Sequence, residues 1–208
     1  MEGMLYFLSA AFTFGLTAGL SPGPLSALAI SETLQRGRKE GIKVALAPIF
    51  TDGPIIFLSL YFLTKVTDLH LLLGFISLFG ACFLGYMAYG SFLVKGIEAK
   101  VAKHKSRSFK RGIITNILNP YMYVFHFTTG GPYLLKAMQL STNAAILFIG
   151  TFFLLLVGTK IVIVLIVERS KTLLKSKGYV YTMRALGVVL LVFAFIFARD
   201  ALKFWGVI

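Results

Sequence analysis

Residues 142–167 read TNAAILFIGTFFLLLVGTKIVIVLIV, a run in which Lys160 is the single charged residue. A helix of about 20 apolar residues is long enough to cross the hydrocarbon core of a bilayer. The run lacks the strict alternation of apolar and polar residues that is typical of a membrane β-strand. It therefore predicts a membrane-spanning helix.

Charge-poor runs of similar length recur along the chain, at 4–34, 44–64, 69–94, 112–135 and 182–204. Hydrophobic residues make up 57% of the chain and charged residues 14%, whereas a soluble domain is about 25% charged. No basic residue precedes the first apolar run, so we interpret that run as a retained span and not as a signal peptide. We predict an all-α membrane protein with six transmembrane helices in a single domain over residues 1–208.

The formal net charge of +13 is distributed unevenly between the predicted loops. The first, third and fifth loops hold 16 Lys and Arg residues, and the opposite face holds 4. Cytoplasmic loops of membrane proteins carry such an excess, which predicts a multi-pass protein of the cytoplasmic membrane with both termini outside the cytoplasm. Membrane lipid is the expected surrounding, and a nucleic-acid partner is excluded because the basic residues belong to an apolar chain.

The longest polar segment, the basic loop 95–111, lies on the predicted cytoplasmic side and divides the chain into two halves. Three spans precede this loop and three follow it, so the second half enters the membrane in the opposite direction. Inverted repeats of this kind are common in secondary transporters. We predict two inverted three-helix repeats, at about 1–94 and about 112–208.

The first span of each predicted repeat is interrupted by proline, which removes a backbone donor and opens the helix. Both interruptions lie near mid-membrane, where irregular backbone is tolerated only if it is buried in protein or lines a watery cavity. A helix that begins after such a break directs free N–H groups towards the cavity, which suits a carboxylate. Packing kinks are the alternative interpretation. The residues at the breaks, and candidates for substrate binding, are Pro22, Gly23 and Pro24 in the first half and Asn119 and Pro120 in the second.

Three ionisable residues are predicted to lie well inside the membrane: Asp52, Lys160 and His126. Such residues usually face the protein interior and find partners. Asp52 and Lys160 are expected at similar depth in the second span of each repeat, so we hypothesise an ion pair for which substrate or a proton competes. A purely structural pair is the alternative. His126 is a candidate proton relay together with Asp52, or a histidine that only hydrogen-bonds a neighbour.

Other functional classes lack the residues that they need. Cys82 is the single cysteine, which excludes a disulfide-based electron carrier. No HExxH motif occurs, and we predict no enzyme, no catalytic residue, no cofactor and no metal-binding site in the protein. A cation or metal-ion exporter remains the alternative function. Small residues at Ser77, Ala81 and Gly85 form one helix face, which packs either within the chain or against a second copy of it, giving a homodimer.

Three segments resemble the LysE-type amino-acid exporters (LysE/RhtB-like translocators). GLSPGPLSALAISETLQRGRKEG (19–41) is similar to the first-span signature of that family, in which Pro-Gly-Pro precedes a helical run and a Gly-Arg-rich turn. GACFLGYMAYGSFL (80–93) and FKRGIITNILNPYMYVF (109–125) are similar to its third and fourth spans. The resemblance extends over nearly the whole chain.

The resemblance implies a six-span exporter of amino acids or similar small metabolites that is driven by the proton gradient. Two features depart from the family pattern. Tyr121 stands where the family commonly has a lysine after Asn-Pro, and the second span contains less glycine. Lys160 is a candidate to supply the missing charge. The positions matching those expected at the family's transport site are Pro22, Gly23, Pro24, Asp52, Asn119 and Pro120.

Overall fold

The structure, a computed structural model, describes residues 2–62, 70–93, 107–171 and 176–207. Within these ranges the chain forms α-helices and one π-helical turn, and no strand occurs in them. The prediction of an all-α membrane protein is therefore confirmed. The elements are α1 (Glu2–Leu20), α2 (Pro24–Arg36), α3 (Arg38–Ala45), α4 (Ala47–Phe62), α5 (His70–Phe92), α6 (Ser108–Ile117), α7 (Pro120–Phe125), the π-helical turn (His126–Gly130), α8 (Gly131–Leu140), α9 (Thr142–Lys171) and α10 (Ser176–Phe204).

Five helical stretches in the described ranges are long and apolar enough to cross a membrane. The predicted span at 112–135 is not among them, because the chain there divides into α6, α7, the π-helical turn and α8. The predicted span at 4–34 likewise divides, into α1 and α2. The five continuous stretches are Gly3–Leu20, Arg38–Tyr61, Leu73–Phe92, Thr142–Ser170 and Val180–Phe204.

Helices α1 and α2 run alongside α9 in the same direction. Gly15 packs against Phe152, and one turn later Gly19 packs against Thr159. A Cβ atom added at Gly15 would lie 2.6 Å from the carbonyl oxygen of Phe152, so the two backbones are in direct contact. Small residues allow this close approach between membrane helices.

Helices α5 and α10 form a long antiparallel pair. Gly187 of α10 contacts Ser91 near the end of α5. Phe197, further along α10, contacts Gly80, which lies nearer the start of α5. The buried side chains between them include Leu84 and Leu190. Opposite chain directions in this pair and equal directions in the α1–α9 pair agree with helices that alternate across a membrane.

Of the five membrane-length stretches, the one made of α3 and α4 is the most buried. Half of the residues in its most apolar part are buried, compared with 22–28% in the corresponding parts of the other four stretches. All five stretches expose large apolar side chains, such as Leu154 of α9, Phe195 of α10 and Phe57 of α4, on faces that suit lipid. The α3–α4 stretch differs from the others in the larger share of its residues that protein encloses.

Helices α2 and α3 form a tight hairpin at Gly37. Its φ angle is +93°, a conformation that residues with a Cβ rarely adopt. The Gly37 N–H donates to the carbonyl oxygen of Thr33 at 2.9 Å and ends α2. This hairpin is the predicted first cytoplasmic loop. Most of the predicted basic loop at 95–111 lies outside the described residues, which resume at 107.

Candidate transport site

Asp52 lies on α4 in the protein interior, where only 5% of the residue is exposed. Its Oδ1 atom accepts hydrogen bonds from Thr51 Oγ1 at 3.0 Å and from Asn116 Nδ2 at 2.6 Å. A buried carboxylate needs such partners, because a charge that is removed from water and left unpaired costs roughly several kcal/mol. Two residues further on, Pro54 lies inside the helix and cannot donate a hydrogen bond to the carbonyl oxygen of Phe50.

Asn116 of α6 holds Asp52 in place, and it is not among the site residues predicted from the sequence. A side-chain amide carries two N–H donors, and Nδ2 of Asn116 lies 2.6 Å from both Thr51 Oγ1 and Asp52 Oδ1. The sequence feature that points to Asn116 is its spacing, since it precedes the break at Asn119 by about one helical turn. A polar residue one turn before a mid-membrane break faces the same interior.

His126 completes the cluster around Asp52. Its Nε2 atom lies 3.4 Å from Asp52 Oδ2, and 2% of the residue is exposed. Its other ring nitrogen, Nδ1, is buried and has no hydrogen-bond partner among the described residues. The structure thus brings together the two residues that the sequence predicted as a proton relay.

The π-helical turn begins at His126 and widens the helix at this point. Such turns are rare and frequently occur at functional sites. Beside the ring lies a small cavity lined by apolar side chains that include Ile56, Phe148 and Phe152. Its volume of about 10 Å³ is close to the minimum that holds one water molecule. The histidine therefore faces a carboxylate on one side and a water-sized space on the other.

Lys160 of α9 does not form the ion pair with Asp52 that the sequence suggested. Its Nζ atom instead donates to Ser26 Oγ at 2.9 Å and to the carbonyl oxygens of Ala18 and Gly19 at 3.4 Å. The last carbonyls of a helix lack partners and carry partial negative charge. The flexible lysine side chain therefore binds the C-terminal end of α1, although Asp52 is close enough to act on it electrostatically.

The first break extends from Ser21 to Gly23. Gly23 is fully extended, with φ −167° and ψ 176°, and it precedes Pro24 at the start of α2. No side chain caps this N-terminus, and a Cβ atom added at Gly23 would meet nothing within 4 Å. Ser26 donates to the carbonyl oxygen of Ser21 at 3.1 Å and accepts from Lys160, which links α9 to the break. The N-terminus of α2 is therefore open, as the sequence predicted.

The second break, at Leu118 and Asn119, has different chemistry. The side chain of Asn119 accepts a hydrogen bond from the N–H of Tyr121 at 3.2 Å and so caps α7, while Pro120 occupies the first helical position. The expectation of a free helix N-terminus does not hold here, because the asparagine oxygen already occupies it. The two breaks are therefore chemically unequal.

A cluster of three or more His, Cys, Asp or Glu side chains that could hold a metal ion is absent from the described residues. Asp52 and His126 are the two ionisable groups in direct contact at this site.

The buried polar cluster, the two interrupted helices and the lipid-suited outer faces together define a multi-pass membrane transporter. Residues 16–201 match the family model of the LysE type translocators, and the chain belongs to that family of membrane exporters. The resemblance found in the sequence is thereby confirmed. Comparison with curated proteins and with solved structures found no match.

The contacts of Lys160 predict that its position does not tolerate a negative charge. Lys160→Asp would bring a carboxylate towards the carbonyl oxygens of Ala18 and Gly19, so thermal stability in detergent should fall. Combining this change with Asp52→Lys should not restore it, because the two residues do not pair. Lys160→Arg, which retains the cation, is the control and should stay close to wild type. Recovery of wild-type stability in the double variant would mean that the two charges do pair directly.

Proposed function

We propose that this protein is a secondary active transporter that exports amino acids or similar small metabolites across the cytoplasmic membrane in exchange for protons. The observation that carries the proposal is the contact between Asp52 and His126, 3.4 Å apart inside the bundle. An intramembrane pair of ionisable residues commonly belongs to an ion or proton pathway. Membership of an exporter family supports the direction of transport.

Proton exchange is proposed to act through the charge of Asp52. A proton bound by Asp52 or His126 changes the net charge of the pair. When the pair carries a negative charge, it attracts the ammonium group of an amino acid. Proton binding cancels that attraction, so that substrate and proton compete for one site.

The substrate carboxylate is proposed to bind at the first break. The N-terminus of α2 has no side-chain cap, and the space beside Gly23 is open. Backbone N–H groups and the positive end of the helix dipole favour an anion there. Pro22 and Pro24 keep the N-terminus of α2 open, and Lys160 of α9 holds it in place through its hydrogen bond to Ser26. At the second break, Asn119 and Pro120 position α7 and hence His126.

We further propose that the chain contains two inverted repeats, at about 1–94 and about 112–208, with both termini outside the cytoplasm. The helix pairs support this arrangement. A two-fold axis between the repeats would exchange the first span with the fourth and the second span with the fifth. The packing of α1 along α9 would then correspond to the packing of α4 along α6 and α8, and both contacts occur. The same axis would exchange α5 and α10, so the α5–α10 pair would map onto itself.

Transport by purified protein in liposomes tests the proposal. Liposomes loaded with radiolabelled amino acids, offered as a panel, should release at least one of them when a pH gradient is imposed. Protein-free liposomes, and a proton ionophore that collapses the gradient, are the controls. Release that ignores the gradient would refute proton exchange. Movement of divalent cations without movement of any amino acid would favour the cation-exporter alternative.

A further inference from the structure

A second cavity lies at the ends of α2, α5 and α6, apart from the cluster around Asp52. Its volume is about 310 Å³, within the size range of small-molecule sites. One wall is polar and includes Glu32, Gln35, Arg36 and Arg111, while Leu28 and Met87 contribute to the apolar wall. We call this cavity the vestibule.

Glu32 is the anchor of the polar wall. Only 1% of this residue is exposed, and its carboxylate accepts hydrogen bonds from Ser108 Oγ at 2.5 Å and from Arg111 Nη1 at 2.7 Å. Arg36 Nε lies 3.5 Å from Glu32 Oε2, the oxygen that also accepts from Ser108. Glu32 therefore orders two guanidinium groups from different parts of the chain at the cavity surface.

The polar wall carries a surplus of positive charge. Two arginines share the single carboxylate of Glu32. The acidic residue Glu40 does not cancel the surplus, because Lys43 Nζ lies 2.6 Å from its carboxylate. Each guanidinium group has five N–H donors, and the contacts with Glu32 use a minority of them. Both arginine side chains are about one-third exposed, at 32% and 37%.

We propose that the vestibule binds the carboxylate group of a small organic solute through Arg36 and Arg111. Guanidinium groups bind carboxylates by charge-assisted, often bidentate, hydrogen bonds. Along α6, Arg111 precedes Asn116, the hydrogen-bond partner of Asp52, by five residues, a rise of about 7.5 Å. The assignment of the vestibule as the cytoplasmic access site for the exported solute rests on the proposed function.

Thiol modification at one position in the vestibule tests the proposal. Gly90 lines the cavity, and a Cβ atom added there would meet nothing within 4 Å. In a Cys82→Ser, Gly90→Cys chain, a methanethiosulfonate reagent with a sulfonate group should react about tenfold faster than one with a trimethylammonium group. Each rate is normalised to the reaction of the same reagent with a free thiol. Excess acetate or L-alanine should slow the sulfonate reagent.

Variants of the arginines identify the source of the preference. Arg36→Gln should reduce the preference several-fold, whereas Arg36→Lys should retain most of it. Arg38→Gln removes a neighbouring exposed charge and is the matched control, which should behave like the parent. Equal normalised rates for the two reagents, or no protection by either carboxylate, would overturn the proposal. Because labelling does not require transport, a protein that shows the preference without moving solute would contradict only the proposed function.

Discussion

Asp52→Asn is expected to abolish most of the pH dependence of transport while the protein remains folded. Asparagine has nearly the same size, and its oxygen can still accept the hydrogen bond from Asn116. It lacks the negative charge that faces His126 and, on our proposal, alternates between proton and substrate. Coupling between two ligands amounts to about 1–3 kcal/mol, so the variant should lose a proton-dependent change in substrate affinity of between about 5-fold and 150-fold.

The measurement compares amino-acid efflux from liposomes with and without a pH gradient, for equal amounts of reconstituted protein. Asp200→Asn is the matched control. Asp200 is also buried, and it accepts a hydrogen bond from the Tyr121 hydroxyl at 2.6 Å, a contact that asparagine can retain. Efflux that keeps its full response to the gradient in the Asp52 variant would remove Asp52 from the coupling mechanism.

Gly15→Leu is expected to cause a large loss of stability. A Cβ atom at this position would lie 2.6 Å from the carbonyl oxygen of Phe152 and 3.1 Å from its Cα atom. Backbone atoms cannot rotate away, so α1 and α9 would have to separate along their length. Overpacking of this kind costs about 3 kcal/mol or more, which corresponds to a decrease of about 6–12 °C in apparent Tm for a chain of this size.

Gly150→Leu on α9 provides the control for that change. It introduces the same side chain into the same helix pair, but nothing lies within 4 Å of the added Cβ atom and the position is exposed. Its thermal unfolding in detergent should match the wild-type protein. If both leucine variants unfold at the same temperature as the wild type, α1 and α9 are not in the close contact described here.

The positions of the helices and of their breaks could be predicted because both depend on local chemistry. In lipid each segment must satisfy its own backbone, so long apolar runs become helices. Proline acts on its own turn, and the interruptions occur at Pro24 and Pro120 as predicted. The sequence alone could not distinguish an open break from a capped one. That difference depends on whether a side chain such as Asn119 folds back onto the helix.

The partners of Lys160 and Asp52 could not be predicted, because position along a helix gives depth but not the direction in which a side chain points. The sequence predicts similar depths for the two residues, yet Lys160 reaches the end of α1, and Asp52 faces Asn116 and His126. Asn116 carries no charge, so it does not stand out in the sequence as an ionisable residue inside the membrane. The π-helical turn has no compositional signature, and only the packing around His126 reveals it.

The unequal burial of the spans has a consequence for how this sequence can change over time. In the stretch from Arg38 to Tyr61, half of the residues in the most apolar part are enclosed by protein, and those side chains, which include Thr51 and Asp52, have neighbours of fixed shape. Helices that face lipid over most of their surface can exchange Leu, Ile, Val and Phe at little cost, since a fluid acyl chain accommodates any of them. Related chains should therefore diverge fastest on α1, α5, α9 and α10 and slowest around Asp52.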